Sequence, residues 1–388
     1  MPKVLRIINR FNLGGPTYNA TFLTRFLSDE FETLLIGGLP EESESDSFHI
    51  PKEYGVEPML IKELKRIPNF KTDRQAYKKI KKIIEEFKPD IVHTHASKAG
   101  ALGRKAAFAC NVPVVVHTYH GHVFHSYFSK WKTTLIKFIE KKLANKTTAI
   151  ITISDTQKKE ICEIHKIADS NKTYVIPLGF DLTKFNANRE EKRLNTREKF
   201  GVKDDEIAIA IIGRITKIKN HTFFLDVIEK LLLENSSLKI KVFIVGDGDL
   251  TATIYQRAQN LNAKFGEKIF MTSWIFDIAS FNPGMDIICL TSDNEGTPVS
   301  LIEAQASGVP IVTTDVGGIR DIVADNTTGY IVPKNDLIQF SEKLKDLIVN
   351  KDKRETFSKN GWGFVKDKFH YTRLVNDVEM LYKKLLHK

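Results

Sequence analysis

Two glutamates, Glu295 and Glu303, stand eight positions apart in the segment of this 388-residue chain that best combines charge with a tight turn. The residues between them begin Gly-Thr-Pro-Val-Ser at 296–300, and the apolar run at 286–290 is typical of a buried parallel strand. Spacing alone leaves two interpretations open. One is a solvated helix glutamate behind an acidic loop, and the other is a binding site that uses both carboxylates.

The helix expected after this turn gives the segment its chemistry. Thr297 suits the N-cap and Pro298 the first helical position, and we expect the helix to run to about Gly308. Its free N–H groups and the positive end of its dipole would point at the loop 295–299, which favours a phosphate there. A carboxylate beside an anion site needs another task, and hydrogen bonding to vicinal sugar hydroxyls would suit Glu303.

Two basic residues follow another predicted strand, 207–212, which ends in Gly213. Arg214 offers a planar fork for two phosphate oxygens, and Lys219 offers a point charge. Two such cations could stabilise a departing diphosphate without a metal ion. A pair of solvated surface charges is the alternative, and Lys217, which lies between them, has no assigned role.

Strands alternate with helices along the chain, which predicts parallel sheets wound by right-handed crossovers, and the length suggests two domains. Ligands bind such sheets at the carboxyl ends of the strands. In the first half the pair Gly14 and Gly15 follows the strand 4–8 and would let a phosphate approach the backbone. A plain turn is the more common meaning of such a pair.

Histidines also collect at predicted strand ends of the first half: His93, His95, His117, His120 and His122. A His-x-His pattern after a strand opens many metal-dependent hydrolases, but those enzymes need further ligands from later strand ends. The later histidines of this chain do not occupy such positions. The sequence therefore favours a site without a catalytic metal.

Composition narrows the partners and the compartment. A formal net charge of +10 favours an anionic partner, which could be a nucleic acid, a phospholipid surface or a phosphorylated substrate. The three cysteines lie in apolar contexts and indicate reduced thiols. The N-terminal apolar run is too short for a signal peptide, and no run approaches the roughly 18 residues that span a bilayer. We therefore expect a cytoplasmic protein.

A basic helix is expected at 130–146, where six lysines alternate with apolar residues: Lys130, Lys132, Lys137, Lys141, Lys142 and Lys146. The simplest interpretation is an amphipathic helix packed on the sheet. A sharper one is a peripheral contact with the anionic inner face of a membrane, where each basic residue contributes about 1 kcal/mol. The aromatic residues here keep helical core spacing and no nucleic-acid-binding module is present, which argues against a nucleic-acid partner.

These motifs together resemble a known family. The pattern E-G-x-P-x-x-x-x-E at 295–303, followed by A-x-A-x-G-x-P-x-V at 304–312, is similar to the donor-site motif of the family 4 retaining glycosyltransferases. The G-R-x-x-x-x-K pattern at 213–219 resembles the diphosphate-binding segment of the same family. The family usually has proline and glutamate where this chain has Arg320 and Asp321, and the role of that loop is left open.

The resemblance implies the GT-B fold, in which two Rossmann-like α/β domains with parallel sheets face each other across a cleft. It divides the chain into an N-terminal acceptor-binding domain, 1–177, and a C-terminal domain that binds the donor, 178–370. The last helix, 371–388, would pack back on the first domain.

The resemblance also implies roles for four catalytic candidates. Arg214 and Lys219 would bind the donor diphosphate, and Glu295 would bind hydroxyls of the donor sugar. His120, from the first domain, would contact a sugar hydroxyl, whereas His117 and His122 would be structural.

The remaining donor contacts follow from the same family. Glu303 would bind the ribose, and Trp274 would lie at the nucleobase, although a core position suits a tryptophan equally well. Gly14 and Gly15 would close over the donor phosphates. The backbone of the central turn would hold phosphate and sugar, namely Gly296, Thr297, Pro298 and Val299.

The expected function is therefore retaining, metal-independent transfer of a sugar from a UDP- or GDP-linked donor to a saccharide or lipid-linked acceptor, in surface polysaccharide or lipopolysaccharide synthesis. No cofactor is expected besides the nucleotide sugar. Two alternatives use the same scaffold: a sugar-nucleotide epimerase and a non-catalytic protein that binds nucleotide sugars. Product formed from the donor alone would indicate the epimerase, and binding without turnover would indicate the binding protein.

Overall fold

The computed structural model describes residues 1–11, 15–39, 48–65, 69–120 and 130–387, with side chains from 133 onward in the last range. The chain divides into two compact units. One comprises residues 1–180 and 369–388, and the other comprises 181–368. Each unit is built on one parallel sheet, which confirms the predicted α/β class with two parallel-sheet domains.

The first unit holds a sheet of seven strands in the order β3-β2-β1-β4-β5-β6-β7. The strands are β1 (Lys3–Arg10), β2 (Glu32–Gly38), β3 (Met59–Leu60), β4 (Ile91–His95), β5 (Val114–Tyr119), β6 (Ala149–Thr152) and β7 (Thr173–Val175). The helices between them are α1 (Gly15–Arg25), α2 (His49–Glu53), α3 (Phe70–Phe87), α4 (Ser97–Ala109), α5 (Lys130–Lys146) and α6 (Asp155–Lys159). The strand order reverses between β1 and β4, so the loops that follow these two strands flank the position where such sheets bind ligands.

The second unit holds a sheet of six strands in the order β10-β9-β8-β11-β12-β13. The strands are β8 (Ile207–Ile212), β9 (Ile240–Val245), β10 (Ile269–Thr272), β11 (Ile287–Leu290), β12 (Ile311–Thr314) and β13 (Gly329–Val332). The helices are α7 (Thr183–Asn186), α8 (Arg189–Lys199), α9 (His221–Glu234), α10 (Thr251–Phe265), α11 (Ile278–Phe281), α12 (Val299–Ala306), α13 (Ile319–Ile322), α14 (Leu337–Val349) and α15 (Lys351–Phe369). Here the order reverses between β8 and β11.

The C-terminal helix α16 (Tyr371–Leu386) completes the core of the first unit. Leu374, Val378 and Tyr382 are buried in one cluster with Val4 of β1 and Leu23 of α1. Full burial of an apolar side chain of this size contributes roughly 1.5–3 kcal/mol. The helix is therefore an integral part of this unit, although it is the last element of the chain.

Most of the polar run at 186–197 forms the helix α8, from which two arginines reach the second sheet. Arg193 and Arg197 donate hydrogen bonds of 2.6 and 3.0 Å to the carboxylate of Asp286, just before β11. The same carboxylate accepts the N–H of Ala208 in β8 at 2.8 Å. Two guanidiniums and a backbone amide thus satisfy a mostly buried carboxylate and tie α8 to the two central strands.

Helix α5 belongs to the first unit and has a buried polar residue near the middle of its length. Glu140 is buried and accepts hydrogen bonds from Arg104 at 2.7 Å and from Tyr119 at 2.8 Å. The interpretation that its apolar residues face the sheet is wrong for Leu135, Phe138 and Ile139, which are 50%, 55% and 36% exposed. None of the described helices is long and apolar enough to cross a bilayer.

Candidate functional site

The loops that follow β8 and β11 are joined to each other at the carboxyl edge of the second sheet. The N–H of Asp293 donates to the carbonyl of Ile218 at 2.8 Å. The hydroxyl of Thr291 donates to the carbonyls of Lys219 and Asn220 at 3.2 and 3.0 Å. These bonds fix the basic loop and the acidic loop side by side where the strand order reverses.

Two predicted site residues meet directly in this arrangement. The Nζ atom of Lys219 lies 2.5 Å from Oε1 of Glu295, and the hydroxyl of Ser292 donates to the same oxygen at 2.5 Å. The two charged side chains are 23% and 10% exposed. The sequence assigned them to different parts of a donor, and the structure shows them as an ion pair between the two joined loops.

Arg214 lies at the same edge of the sheet, but its side chain differs from that of Lys219 in exposure and in pairing. Its side chain is exposed, and within the described part of the chain no carboxylate lies within salt-bridge distance of its guanidinium. The planar fork is therefore open to an anion, and the diphosphate contact stays a prediction. Lys217 is also exposed, on the short 3-10 turn Lys217–Lys219.

The helix α12 starts one residue later than the sequence predicts. Pro298 is its N-cap, with φ −71° and ψ 102°, so the expectation of a Thr297 cap and of Pro298 as first helical residue is wrong. Proline fits because its fixed φ is also compatible with the extended backbone of a cap. Its ring offers no oxygen, so no side chain caps the first turn, whose N–H groups stay directed at the loop.

A second turn, at Gly317 and Gly318, supports the loop 295–299. Sequence reasoning did not identify this turn as part of the site. The N–H of Gly318 donates to the carbonyl of Glu295 at 3.2 Å. A Cβ atom on Gly317, whose φ is +53°, would lie 1.8 Å from that carbonyl oxygen, and one on Gly318 would lie 2.1 Å from the carbonyl of Gly296. The glycine pair at 317–318 is thus required for the shape of the loop, and its sequence signal is the pair itself.

The departure from the family pattern lies just beyond this turn. Arg320 is exposed and donates to Asp315 through Nε and Nη2, with a shortest distance of 2.6 Å. The positive charge of Arg320 is therefore paired with a carboxylate in the turn that leads into its own helix, α13. The carbonyl of Asp321 accepts a hydrogen bond from Lys368 at 2.5 Å.

Glu303 lies in the second turn of α12, beyond the loop. Burial raises the pKa of its carboxyl to about 7, and the nearby Lys184 ammonium opposes that rise only in part. Ionisation of this carboxyl is costly in the free protein. Hydrogen bonds donated by two neighbouring hydroxyls would stabilise its charged form. The predicted ribose contact stays a prediction that this environment fits.

The pKa of Glu303 leads to a pH-dependent prediction. If the ionised carboxylate binds the ribose hydroxyls, UDP affinity should fall about tenfold from pH 8 to pH 6, because the pKa near 7 lies between them. The free energy of unfolding without ligand should change the other way, decreasing as pH rises from 4.5 to about 7. Calorimetric titration with UDP would measure the affinity. The Glu303→Gln variant is the control, since it should keep only the pH dependence of the diphosphate, and an unchanged wild-type slope would contradict the assignment.

Trp274 borders the same edge of the sheet beyond β10. Its indole is 41% exposed, and its ring edge lies 3.6 Å from the position that a Cβ on Gly246 would take. That position is also 2.2 Å from the carbonyl oxygen of Gly213, so only glycine allows the ends of β8 and β9 to approach so closely. The indole is therefore a surface side chain, available for stacking, rather than a core residue.

The candidates of the first unit lie at the carboxyl ends of β4 and β5. Nε2 of His120 is 2.8 Å from Nδ1 of His95. His117 is fully buried and hydrogen-bonded to Thr94 at 2.8 Å. Gly15 is the first residue of α1, whereas Gly14 and His122 lie outside the described residues. Within the described ranges, no three histidine, cysteine or carboxylate side chains converge to hold a metal ion.

Two family models match this chain, one over each half. Residues 16–184 match the model of Glycosyltransferase Family 4, and residues 192–362 match that of Glycosyl transferases group 1. The Escherichia coli UDP-Gal:alpha-D-GlcNAc-diphosphoundecaprenol alpha-1,3-galactosyltransferase is 33% identical over 84% of this chain and 82% of its own. The Staphylococcus aureus capsular polysaccharide biosynthesis glycosyltransferase CapM is 26% identical over 86% and 87% of the two chains.

Solved structures resemble the whole chain as well. Anabaena HepE in complex with UDP and glucose has a TM-score of 0.82 at 17% identity, with 99% of this chain and 100% of that chain covered. The lipopolysaccharide outer core galactosyltransferase WaaB has a TM-score of 0.73 at 14% identity, with 98% and 99% covered. At such identities the likeness shows the fold alone.

Proposed function

Because the chain belongs to the family 4 glycosyltransferases of the group 1 type, we propose that it transfers a hexose from a UDP-linked sugar to a saccharide on a lipid diphosphate. The predicted family, the GT-B fold and the glycosyltransferase activity are confirmed. The relatives named above are transferases, so the epimerase and the binding protein are not favoured. The choice of UDP and of a lipid-linked acceptor is supported by the Escherichia coli relative, which is named as a galactosyltransferase that uses UDP-Gal and a diphosphoundecaprenol acceptor.

One observation carries the proposal for the donor. Lys219, Glu295 and the uncapped start of α12 lie in joined loops at the reversal point of the second sheet, and the open Arg214 fork leaves the same edge. A diphosphate would be held by the two cations and the helix N–H groups, while Glu295 would accept hydroxyls of the sugar.

These groups also supply a reaction path, for which we propose retention without a metal. The bond between the anomeric carbon and the β-phosphate oxygen breaks, and the bond from that carbon to the acceptor oxygen forms on the same face. The acceptor proton passes to the departing phosphate oxygen. Arg214, Lys219 and the helix dipole would stabilise the negative charge that develops on the diphosphate.

The surface of α5 supports a lipid-linked acceptor. Its exposed stripe of Leu135, Phe138 and Ile139 is bordered by Lys141 and Lys142, and the ammonium of Lys142 lies 4.4 Å from the ring centre of Phe138. An apolar stripe flanked by cations is suited to the boundary of an anionic leaflet. The proposal therefore places the enzyme in the cytoplasm, bound peripherally to the inner face of the membrane through helix 130–146.

Charge reversal on α5 tests the membrane contact. Replacing Lys137, Lys141 and Lys142 by glutamate should weaken binding to phosphatidylglycerol vesicles at least tenfold, because each basic residue near such a surface contributes about 1 kcal/mol. Vesicle sedimentation measures the bound fraction. The matched control replaces three exposed lysines of α3, Lys71, Lys78 and Lys82, which changes the net charge equally. Equal loss in both variants, or loss in neither, would remove the proposed contact.

The activity itself is tested with pure sugar nucleotides. UDP-galactose, UDP-glucose, UDP-N-acetylglucosamine and GDP-mannose are incubated with and without an N-acetylglucosaminyl diphospho-lipid. We expect nucleotide release from a UDP sugar that depends on the acceptor and persists in EDTA, and a product whose anomeric proton shows retention. Sugar epimerisation without acceptor, inversion, or binding without release would each contradict the proposal.

A further inference from the structure

A cavity of about 500 Å³ opens at the amino edge of the second sheet, within the second unit. Met285 and Asp286, which precede β11, line it together with the segment 307–310, which precedes β12. Helices α8 and α15 supply most of the remaining wall. The loops that follow β8 and β11 leave the carboxyl edge of this sheet, so the cavity lies at the opposite edge from the proposed donor contacts.

Arg189, the first residue of α8, is fixed in this wall by two contacts. A Cβ atom on Gly308 would lie 1.8 Å from Nη2 of Arg189, so the guanidinium packs directly against the glycine backbone. The same Nη2 donates to the hydroxyl of Ser358 at 3.2 Å. Its Nε and Nη1 groups donate to no described residue and are not enclosed by protein atoms, so they are available to a ligand.

Arg354 of α15 is a second guanidinium in the lining of the cavity. Its Nη1 donates to the carbonyls of Leu347 and Ile348 at 2.6 and 3.0 Å, at the end of α14. Its Nε and Nη2 groups have no partner among the residues that the structure describes, and they too stay accessible. The two carbonyl bonds fix the position of the guanidinium but leave its charge without a counter-ion.

The two arginines give the cavity an excess of positive charge. Within the described ranges no carboxylate lies within salt-bridge distance of Arg189 or Arg354, and Asp286 already pairs with two other arginines at 2.6 and 3.0 Å. Burial lowers the pKa of both guanidiniums, and more distant carboxylates, Glu190 for Arg189 and Asp286 for Arg354, oppose that shift. Both groups remain charged at neutral pH. A bound anion would therefore stabilise two partly desolvated cations.

The other polar groups of the cavity indicate what kind of anion fits. The hydroxyl of Ser358 accepts a bond from Arg189, so its own O–H can donate to an anion. Glu190 and Glu355 also line the cavity and are exposed. Carboxylates repel a ligand that is anionic throughout, but they accept hydrogen bonds from hydroxyls. Because the cavity is also much larger than a phosphate group, the lining suits a phosphate carried on a body rich in hydroxyls.

We propose that this cavity is a second ligand site, in which Arg189 and Arg354 bind the phosphate of a sugar phosphate. Glu190 and Glu355 accept hydrogen bonds from its hydroxyls. The inference does not rest on the proposed function, because the residues that form this site belong to the opposite edge of the sheet. Sequence reasoning did not single out these residues, since the two arginines belong to helices far apart in the chain.

Calorimetric titration of the UDP-saturated protein tests the site, with glucose 6-phosphate, inorganic phosphate and glucose as ligands. We expect glucose 6-phosphate to bind once per chain, inorganic phosphate to compete with it, and glucose not to compete. Arg189→Gln and Arg354→Gln should each weaken glucose 6-phosphate binding at least tenfold, because each removes charge-assisted hydrogen bonds. Failure of both phosphates to bind, or wild-type affinity in either variant, would overturn the proposal. If UDP itself does not bind, the proposed function fails, while the same titration without UDP still tests this cavity.

Two further variants separate a lost contact from a change in charge or fold. Arg257→Gln removes the same charge from α10 of the same unit, where Arg257 pairs with Asp226 and Glu229, and it should keep glucose 6-phosphate affinity within about twofold. Arg189→Lys keeps the charge without the planar fork and should bind with intermediate affinity. If Arg354→Gln lowers the Tm because α14 loses its donor, the two Arg189 variants decide the outcome alone. An equal loss of affinity in Arg257→Gln would contradict a defined site.

Discussion

The Glu295→Gln variant is expected to lose glycosyl transfer by roughly a hundredfold to a thousandfold in kcat, the range seen when one preorganised polar contact to a reacting centre is removed. Glutamine keeps the shape of the side chain but cannot offer a charged acceptor to the sugar hydroxyls. Its affinity for UDP should be unchanged or higher, because Lys219 is then no longer held by a carboxylate at 2.5 Å. Transfer kinetics with a UDP sugar and calorimetry with UDP measure the two effects.

Asp293 provides the matched control for this variant. It lies in the same loop, and its carboxylate pairs with Lys334 at 3.1 Å at the side of the site. Asp293→Asn removes the same charge two positions away and should keep kcat within about threefold, as surface ion pairs contribute little. Full activity of Glu295→Gln, or a loss of UDP binding that parallels the loss of kcat, would refute the separate assignment of sugar and diphosphate contacts.

The Arg214→Ala variant is expected to weaken UDP binding roughly 10- to 150-fold, since hydrogen bonds to charged groups contribute about 1.5–3 kcal/mol. The same change should lower kcat further if the guanidinium also stabilises the departing diphosphate. Isothermal titration with UDP and with uridine separates the effect, because uridine lacks the diphosphate and should bind both proteins alike.

Lys217 offers an internal comparison for Arg214. It is exposed on the same loop, carries the same charge and lies three positions away. Lys217→Ala should change UDP affinity less than about twofold, because a solvated charge contributes mainly through screened long-range attraction. Similar losses for both variants would indicate a diffuse basic surface in place of a defined diphosphate contact.

Local patterns predicted the elements that carry the site. The strand at 207–212 has the predicted bounds, because a buried parallel strand is a continuous apolar run that ends at a turn. The first unit contains one further strand, β7, at Thr173–Val175, which was not recognised. It is only three residues long and merges into a segment broken by proline and glycine, so no periodicity could develop.

Contacts between distant residues were less accessible to sequence reasoning. Glu295 and Lys219 were each identified as site residues, but their ion pair joins positions 76 apart and depends on how two loops bond to each other. The bonds of Arg193 and Arg197 to Asp286 likewise join positions about 90 apart, and the polar run that contains the two arginines gives no sign of them. A one-dimensional pattern reports burial and turn chemistry, whereas such pairings are decided by strand order.

The orientation of α5 shows the same limit in another form. Its apolar and basic residues both recur at helical spacing, so the pattern fits either face of the helix against the sheet. In the structure, the face of α5 that carries Glu140 packs inward, because that carboxylate accepts hydrogen bonds from Arg104 and Tyr119 in the interior. The orientation of the helix therefore depends on the buried partners of Glu140, and it leaves Leu135, Phe138 and Ile139 at the surface.

The bond between Lys219 and Glu295 bears on how the enzyme finishes a cycle. Once the sugar has moved to the acceptor, Glu295 no longer has hydroxyls to bind, and its charge again attracts the ammonium that holds the spent nucleotide. Reformation of this pair would loosen UDP from the pocket and speed its release, so inhibition by accumulated product should be stronger in any variant that lacks the carboxylate.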